Sequence, residues 1–199
     1  MELLIATHNQ GKLKEYRELL PEWHILSLVD AGLGGFEVEE SADTFEGNAQ
    51  LKARGYGRAS GILTLADDSG LVVDALNGAP GVYSARYGEP HFDDVGRRRY
   101  LLQQLTAIAP EQRSARFVCV TALYHPQQDP LLQCEGVCEG RIALEERDDG
   151  HGFGYDPVFI PQGFDKTFGE LPSELKHRIS HRGLAAQQVP ALLRQWLTP

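Results

Sequence analysis

The stretch Leu3-Leu4-Ile5-Ala6-Thr7-His8-Asn9-Gln10-Gly11-Lys12-Leu13 sets the reading of the chain. Four apolar residues make a short buried strand, which breaks at Thr7 to Gly11 and gives way to a helix from about Lys12. Leu13, Tyr16 and Leu20 recur at helical spacing, and Pro21 closes the helix. A strand that turns directly into a helix is the opening move of an α/β fold.

Working outward, His24 to Leu28 reads as a second strand, and Gly32, Gly34 and Gly35 as a loop. Asp43 with Glu46 three residues on has the form of a capping box. It opens a helix to Ser60 with Phe45, Ala49, Ala53 and Tyr56 on one face, ended by Gly61. Ile62 to Ala66 reads as a strand stopping abruptly at Asp67-Asp68-Ser69-Gly70, and a loop is punctuated by Gly78, Pro80 and Gly81. A third helix is expected over Asp94 to Ile108, then paired strands at Arg116 to Tyr124 and Leu131 to Leu144. A glycine-dense loop, Gly150 to Gly154, leads to a strand at Pro157 to Ile160. A last helix runs from Ser180 to Leu197, with a kink or break at Pro190. No repeat or linker divides the chain, so residues 1–199 read as a single α/β domain with a mixed sheet.

Composition narrows the partners. The chain has 199 residues, 42% of them hydrophobic, and a formal net charge of −9. That balance disfavours a nucleic acid polymer, which needs cations to displace counterions, but leaves room for a small polyanion. No apolar run approaches the roughly 18 residues of a membrane span. The segment Glu2-Leu3-Leu4-Ile5 lacks the basic flank of a signal peptide. Cys119, Cys134 and Cys138 form neither a CxxC pair nor an even set, and read as buried thiols in strands. A reducing, cytoplasmic setting is expected.

Three groups of residues can do chemistry. The turn Thr7-His8-Asn9-Gln10-Gly11-Lys12 offers helix N–H groups, side-chain donors and a cation to phosphate, although it also fits a plain strand-to-helix turn. It is not a GxxxxGK[ST] loop. In the second group, Asp67 and Asp68 are adjacent carboxylates that need cations or a metal if buried, and are otherwise a solvated acidic turn. Strand alternation sends them to opposite faces, and Glu39-Glu40 offers a further carboxylate for magnesium. Asn48 and Lys52, at i and i+4, share a helix face and could reach one phosphate. The third group is C-terminal: Gly152-Phe153-Gly154-Tyr155-Asp156-Pro157, Lys176, and Ser180-His181-Arg182-Gly183. Flanking glycines would open the Phe153 ring to base stacking, with acid, Lys, His and Arg to read a base edge. His177 and His181 lack the glutamate of HExxH, and Ser69 lacks the glycines of a nucleophile elbow.

Taken in order, these segments resemble the inosine/xanthosine triphosphate pyrophosphatase family. The likeness runs from Thr7–Lys12 through Thr44-Phe45-Glu46-Gly47-Asn48-Ala49, Ala66-Asp67-Asp68-Ser69-Gly70-Leu71 and Gly78 to Tyr87, then on to Gly152–Pro157 and Ile179–Gly183. The resemblance implies an elongated two-lobed α/β domain, with a long mixed sheet flanked by helices and an active-site cleft between lobes. It also implies a magnesium-dependent, cytoplasmic, homodimeric enzyme that cuts dITP, ITP and XTP to the monophosphate and pyrophosphate. By the resemblance, Thr7, His8, Asn9, Gln10, Gly11 and Lys12 hold the triphosphate, with Lys52 and Ser69 assisting. Glu40 and Asp68 handle magnesium, Asp68 doubling as proton acceptor. Phe153, Gly154, Tyr155, Asp156, Lys176, His181 and Arg182 surround the base and sugar. The chain departs from the family at His8, where Gly is common, at Gly47, where many members carry Glu, and at His177, where Asn is frequent.

Overall fold

The computed structural model describes residues 2–88 and 91–197, with the side chains of 129, 130 and 197 left aside. Six strands form one sheet: β1 (Glu2–Ile5), β2 (His24–Leu26), β3 (Thr64–Val73), β4 (Ser114–His125), β5 (Gln128–Ile142) and β6 (Phe159–Pro161). Their order is β2-β1-β3-β4-β5-β6. β1 runs parallel to β2 and to β3, whereas β5 and β6 are antiparallel, so the sheet is mixed. The helices are α1 (Gln10–Leu19), α2 (Phe45–Ser60), α3 (Asp94–Gln104), α4 (Ser173–Ile179), α5 (His181–Ala186) and α6 (Val189–Leu197).

The residues fall into two compact units. The first comprises Met1–Asp68, Cys119–Gly136 and Arg182–Pro199, and the second Ser69–Val118 and Val137–His181. In the first, Leu3, Ile5, Leu13, Tyr16, Leu20, Leu65, Leu123, Val189 and Leu193 close around one core, which fixes α1 and α6 against the strands. In the second, Leu71, Val73, Leu101, Leu105, Phe117, Phe159 and Phe168 form another.

Several elements differ from the sequence reading. β3 does not stop at Asp67-Asp68-Ser69-Gly70 but runs through it, buried along most of its length. As a central strand between β1 and β4 it keeps its backbone in the ladder, and charged partners on other elements make the buried aspartates tolerable. α2 is capped by Thr44, whose Oγ1 accepts from Gly47 N at 3.1 Å, not by Asp43. Gly61 closes it with φ +69°, a conformation that favours glycine. α3 ends at Gln104, short of Ile108. There the Thr106 hydroxyl takes the Gln103 carbonyl, and the Arg113 guanidinium takes those of Leu105 and Ile108. β2 ends at Leu26. The expected final helix is two, α5 and α6, broken at 187–188 before Pro190, which sits in the first turn of α6, where a missing N–H costs nothing.

Candidate active site

The first unit assembles the phosphate-type residues. Asn9 caps α1, its Oδ1 accepting from Lys12 N at 3.1 Å, and Thr7 Oγ1 accepts from Asn9 N at 3.1 Å. These bonds hold the turn open and leave the N–H groups of Gln10 and Gly11 without an acceptor among the described residues. His8 lies to one side, with its Nε2 at 3.1 Å from the Tyr56 hydroxyl and 3.2 Å from Phe36 O.

Lys12 Nζ reaches Asp67 Oδ2 at 3.1 Å, and the same oxygen receives Arg182 at 3.1 Å. Arg182 also holds Glu15 Oε2 at 2.6 Å, so its direction is fixed before any ligand arrives. On the neighbouring residue the pattern repeats with other partners. Lys52 Nζ donates to Asp68 Oδ1 at 3.2 Å and to Glu40 Oε2 at 2.7 Å. Asn48 Nδ2 donates to Asp68 Oδ2 at 3.3 Å, with its own Oδ1 occupied by Ala42 N. The shared face of Asn48 and Lys52 therefore serves Asp68.

The two aspartates differ electrostatically. Burial works to raise the Asp67 pKa, but Lys12, Arg182 and Lys52 overcome it and hold the carboxyl well below the usual carboxylate range. Burial also raises Asp68, and here Lys52 and Lys12 only partly compensate while Glu40 adds to the rise, so its pKa stays up. Burial disfavours the Lys52 ammonium, yet Asp68 and Glu40 outweigh this and its pKa is raised. The asymmetry has a simple origin: one ammonium serves two carboxylates, so Lys52 is fully compensated and Asp68 is not. Asp68 is the carboxylate with proton affinity to spare.

Among the described residues no three His, Cys, Asp or Glu side chains converge on one point. What the protein offers a cation is the pair Glu40 and Asp68, which meet on one ammonium. That donor set fits a hard divalent ion that takes one or two carboxylates and fills its remaining positions with water and phosphate oxygens.

The second unit holds the remaining candidates. Asp156 Oδ2 accepts from Lys176 Nζ at 2.6 Å and from Phe153 N at 2.8 Å. Lys176 Nζ also lies 5.0 Å from the centre of the Phe153 ring, so a cation covers part of the aromatic that flanking glycines were expected to leave open. Gly152 has a different reason to be glycine: a Cβ there would fall 2.5 Å from Asp156 Cβ. Gly154 adopts φ +58°. Tyr155 turns into the core and gives its hydroxyl to Ser84 O at 2.9 Å, supporting the loop from beneath. His181 is stacked on Phe117 at 4.5 Å, and Ser69 is half-buried in β3.

The Ham1 family model matches residues 3–192. The chain belongs to the Ham1 family. Its relatives include the dITP/XTP pyrophosphatase of Oceanobacillus iheyensis, 42% identical over 98% of each chain, and that of Bacillus subtilis, 45% identical over 96% of each. Among solved structures, the Staphylococcus aureus Ham1 protein aligns at TM-score 0.85 and 38% identity, covering 98% of this chain and 100% of its own. A nucleoside-triphosphatase, dITP/XTP pyrophosphatase, of Mycobacterium abscessus aligns at 0.74 and 42%, covering 97% and 99%. In this Ham1 member, Asp67 and Glu15 join the candidate group. Asp67 was expected to need cations if buried but was given no role of its own, and the fold shows that Lys12 and Arg182 supply those cations. Glu15 carries no local signal, because its partner lies 167 positions away.

Proposed function

We infer that this chain hydrolyses dITP, ITP and XTP to the monophosphate and pyrophosphate; dITP and XTP are the substrates that its relatives' names carry. The observation that carries this reading is one charged group: Lys12 on Asp67 and Lys52 on the adjacent Asp68, beside the open N-terminus of α1. A triphosphate needs cations and N–H donors, and hydrolysis needs a poised carboxylate.

In the proposed mechanism Asp68 accepts the proton of a water whose oxygen bonds to phosphorus as the α–β phosphoanhydride breaks. Pyrophosphate departs toward Lys12, Lys52 and the N–H groups of Gln10 and Gly11, which match the charge that develops on the leaving oxygen. Asp67 keeps Lys12 in place, and Asn48 keeps Asp68 turned toward Lys52. Magnesium, when bound through Glu40 and Asp68, supplies Lewis acidity and neutralises charge on the phosphate oxygens. Base recognition is assigned to Phe153, Asp156, Lys176 and His181, with Tyr155 as their support, while Arg182 is held on Asp67 and Glu15. Donors that favour a 6-oxo group would be left unpaired against adenine, at roughly 1–3 kcal/mol per group. We assign the whole of residues 1–199 to one pyrophosphatase domain and propose that it works in the cytoplasm as a homodimer. No described helix is long and apolar enough to cross a membrane.

The test is a substrate panel of dITP, XTP, ATP, GTP and dUTP, with and without a chelator. The reading expects dITP and XTP to be cut far faster than the rest, activity to vanish with the chelator, and magnesium to restore it. A preference for dUTP, or full activity in chelator, overturns it.

A further inference from the structure

Helix α3 grips the Phe153–Asp156 loop at one peptide unit. Asp94 Oδ2 accepts from Gly154 N at 3.1 Å, and Arg98 NH1 donates to Gly154 O at 2.9 Å. Asp94 and Arg98 stand one helical turn apart on α3, so a single rigid element satisfies both the donor and the acceptor of one residue. Arg98 is itself fixed, its Nε donating to Glu146 Oε2 at 2.9 Å, and it is 9% exposed. Asp94 has its other oxygen on Arg97 at 2.7 Å. Asp93, not Asp94, caps the helix, so Asp94 is not needed to start it.

The gripped residue is the one with freedom to lose. Gly154 is in the left-handed region at φ +58°, and a Cβ there would meet nothing within 4 Å, so packing does not restrain it. On its two sides lie Phe153, whose N–H is bound by Asp156, and Tyr155, whose hydroxyl is bound by Ser84. Without the α3 bonds, the peptide between these anchors could rotate and carry the Phe153 ring with it.

We propose that Asp94 and Arg98 are positioning residues for base recognition: by holding Gly154 through its N–H and its C=O, they set the angle at which Phe153 meets the base. This rests on assigning base recognition to the Phe153 loop. A ring held at one angle contributes the same contact before and during reaction, so losing it should raise KM and leave kcat nearly alone.

The experiment compares Asp94→Ala, Asp94→Asn and Arg98→Ala with the unaltered chain, using kcat and KM for dITP and for ATP. Both Asp94 variants lose the charge facing Arg97, but only Asn keeps an acceptor for Gly154 N–H. The expected result is a KM for dITP raised about 5- to 15-fold in Asp94→Ala, the effect of one lost hydrogen bond. Near-normal KM should return in Asp94→Asn, and kcat should change less than about twofold. Arg98→Ala is expected to follow Asp94→Ala. If it does not fold, the exposed Asp94 pair still decides the matter. Equal KM in Asp94→Ala and Asp94→Asn, or a fall in kcat with unchanged KM, overturns the proposal. Failure of the unaltered chain to prefer dITP would instead count against the functional reading itself.

Discussion

Asp67 and Asp68 are neighbours on one strand with opposite electrostatic environments, and this contrast can be measured. Asp67 is a carboxylate stabilised by its partners, so it contributes stability. With its folded pKa depressed, the contribution is complete above the unfolded value of about 3.9 and is lost as pH falls toward the folded value. Asp67→Asn leaves the buried Arg182 and the half-buried Lys12 short of a counter-charge, and urea unfolding of the metal-free protein at pH 7 should show a loss of about 3–5 kcal/mol. The difference from the unaltered chain should shrink below about pH 4. Asp68 has the reverse sign: its folded pKa is raised, so ionising it costs stability, a cost absent below the unfolded value and complete above the folded one. Asp68→Asn should therefore unfold at the same or higher urea concentration while turnover falls by about 10²–10⁴. A stable, active Asp68→Asn, or an Asp67→Asn as stable as its parent, would reverse the assignment of the two roles.

At the scale of elements, the site depends on how closely α2 lies on β4. Gly57 faces Tyr124, and a Cβ there would fall 2.2 Å from Tyr124 Cδ1, against a ring in a strand rather than a flexible tip. Gly57→Ala gains helix propensity in isolation, so its effect separates packing from propensity. The expected outcome is a net loss of about 1–3 kcal/mol, with reduced turnover, because the shift carries Asn48 and Lys52 away from Asp68. A stabilised Gly57→Ala would mean that α2 relaxes freely. Such close approaches are what sequence reading misses. The periodicity of Leu13, Tyr16 and Leu20, and of Ala49, Ala53 and Tyr56, is enough to find α1 and α2. The run through Asp67-Asp68-Ser69-Gly70 could not be read as strand, because what keeps it extended and buried is the pairing of β3 with its neighbours and the cations from α1, α2 and α5. The end of α3 was equally hidden, set by Arg113 taking carbonyls across a chain turn.

For the molecule as a whole, part of the candidate group could be read from residue order. Lys12, Lys52 and Asp68 were visible as charged residues in a phosphate-suited turn, on a helix face and just past the expected end of a strand, and the fold gathers them into one unit. Glu15, Asp94 and Arg98 were not, because their partners lie far along the chain: Glu15 meets Arg182, and Asp94 and Arg98 meet Gly154. Everything proposed for this site requires a cut between the α- and β-phosphates. Phosphorus NMR of a dITP reaction with magnesium measures this directly. dIMP and pyrophosphate are expected in equal amounts from the first time point, with neither dIDP nor orthophosphate accumulating. Orthophosphate released ahead of pyrophosphate, with dIDP as its companion, would contradict it.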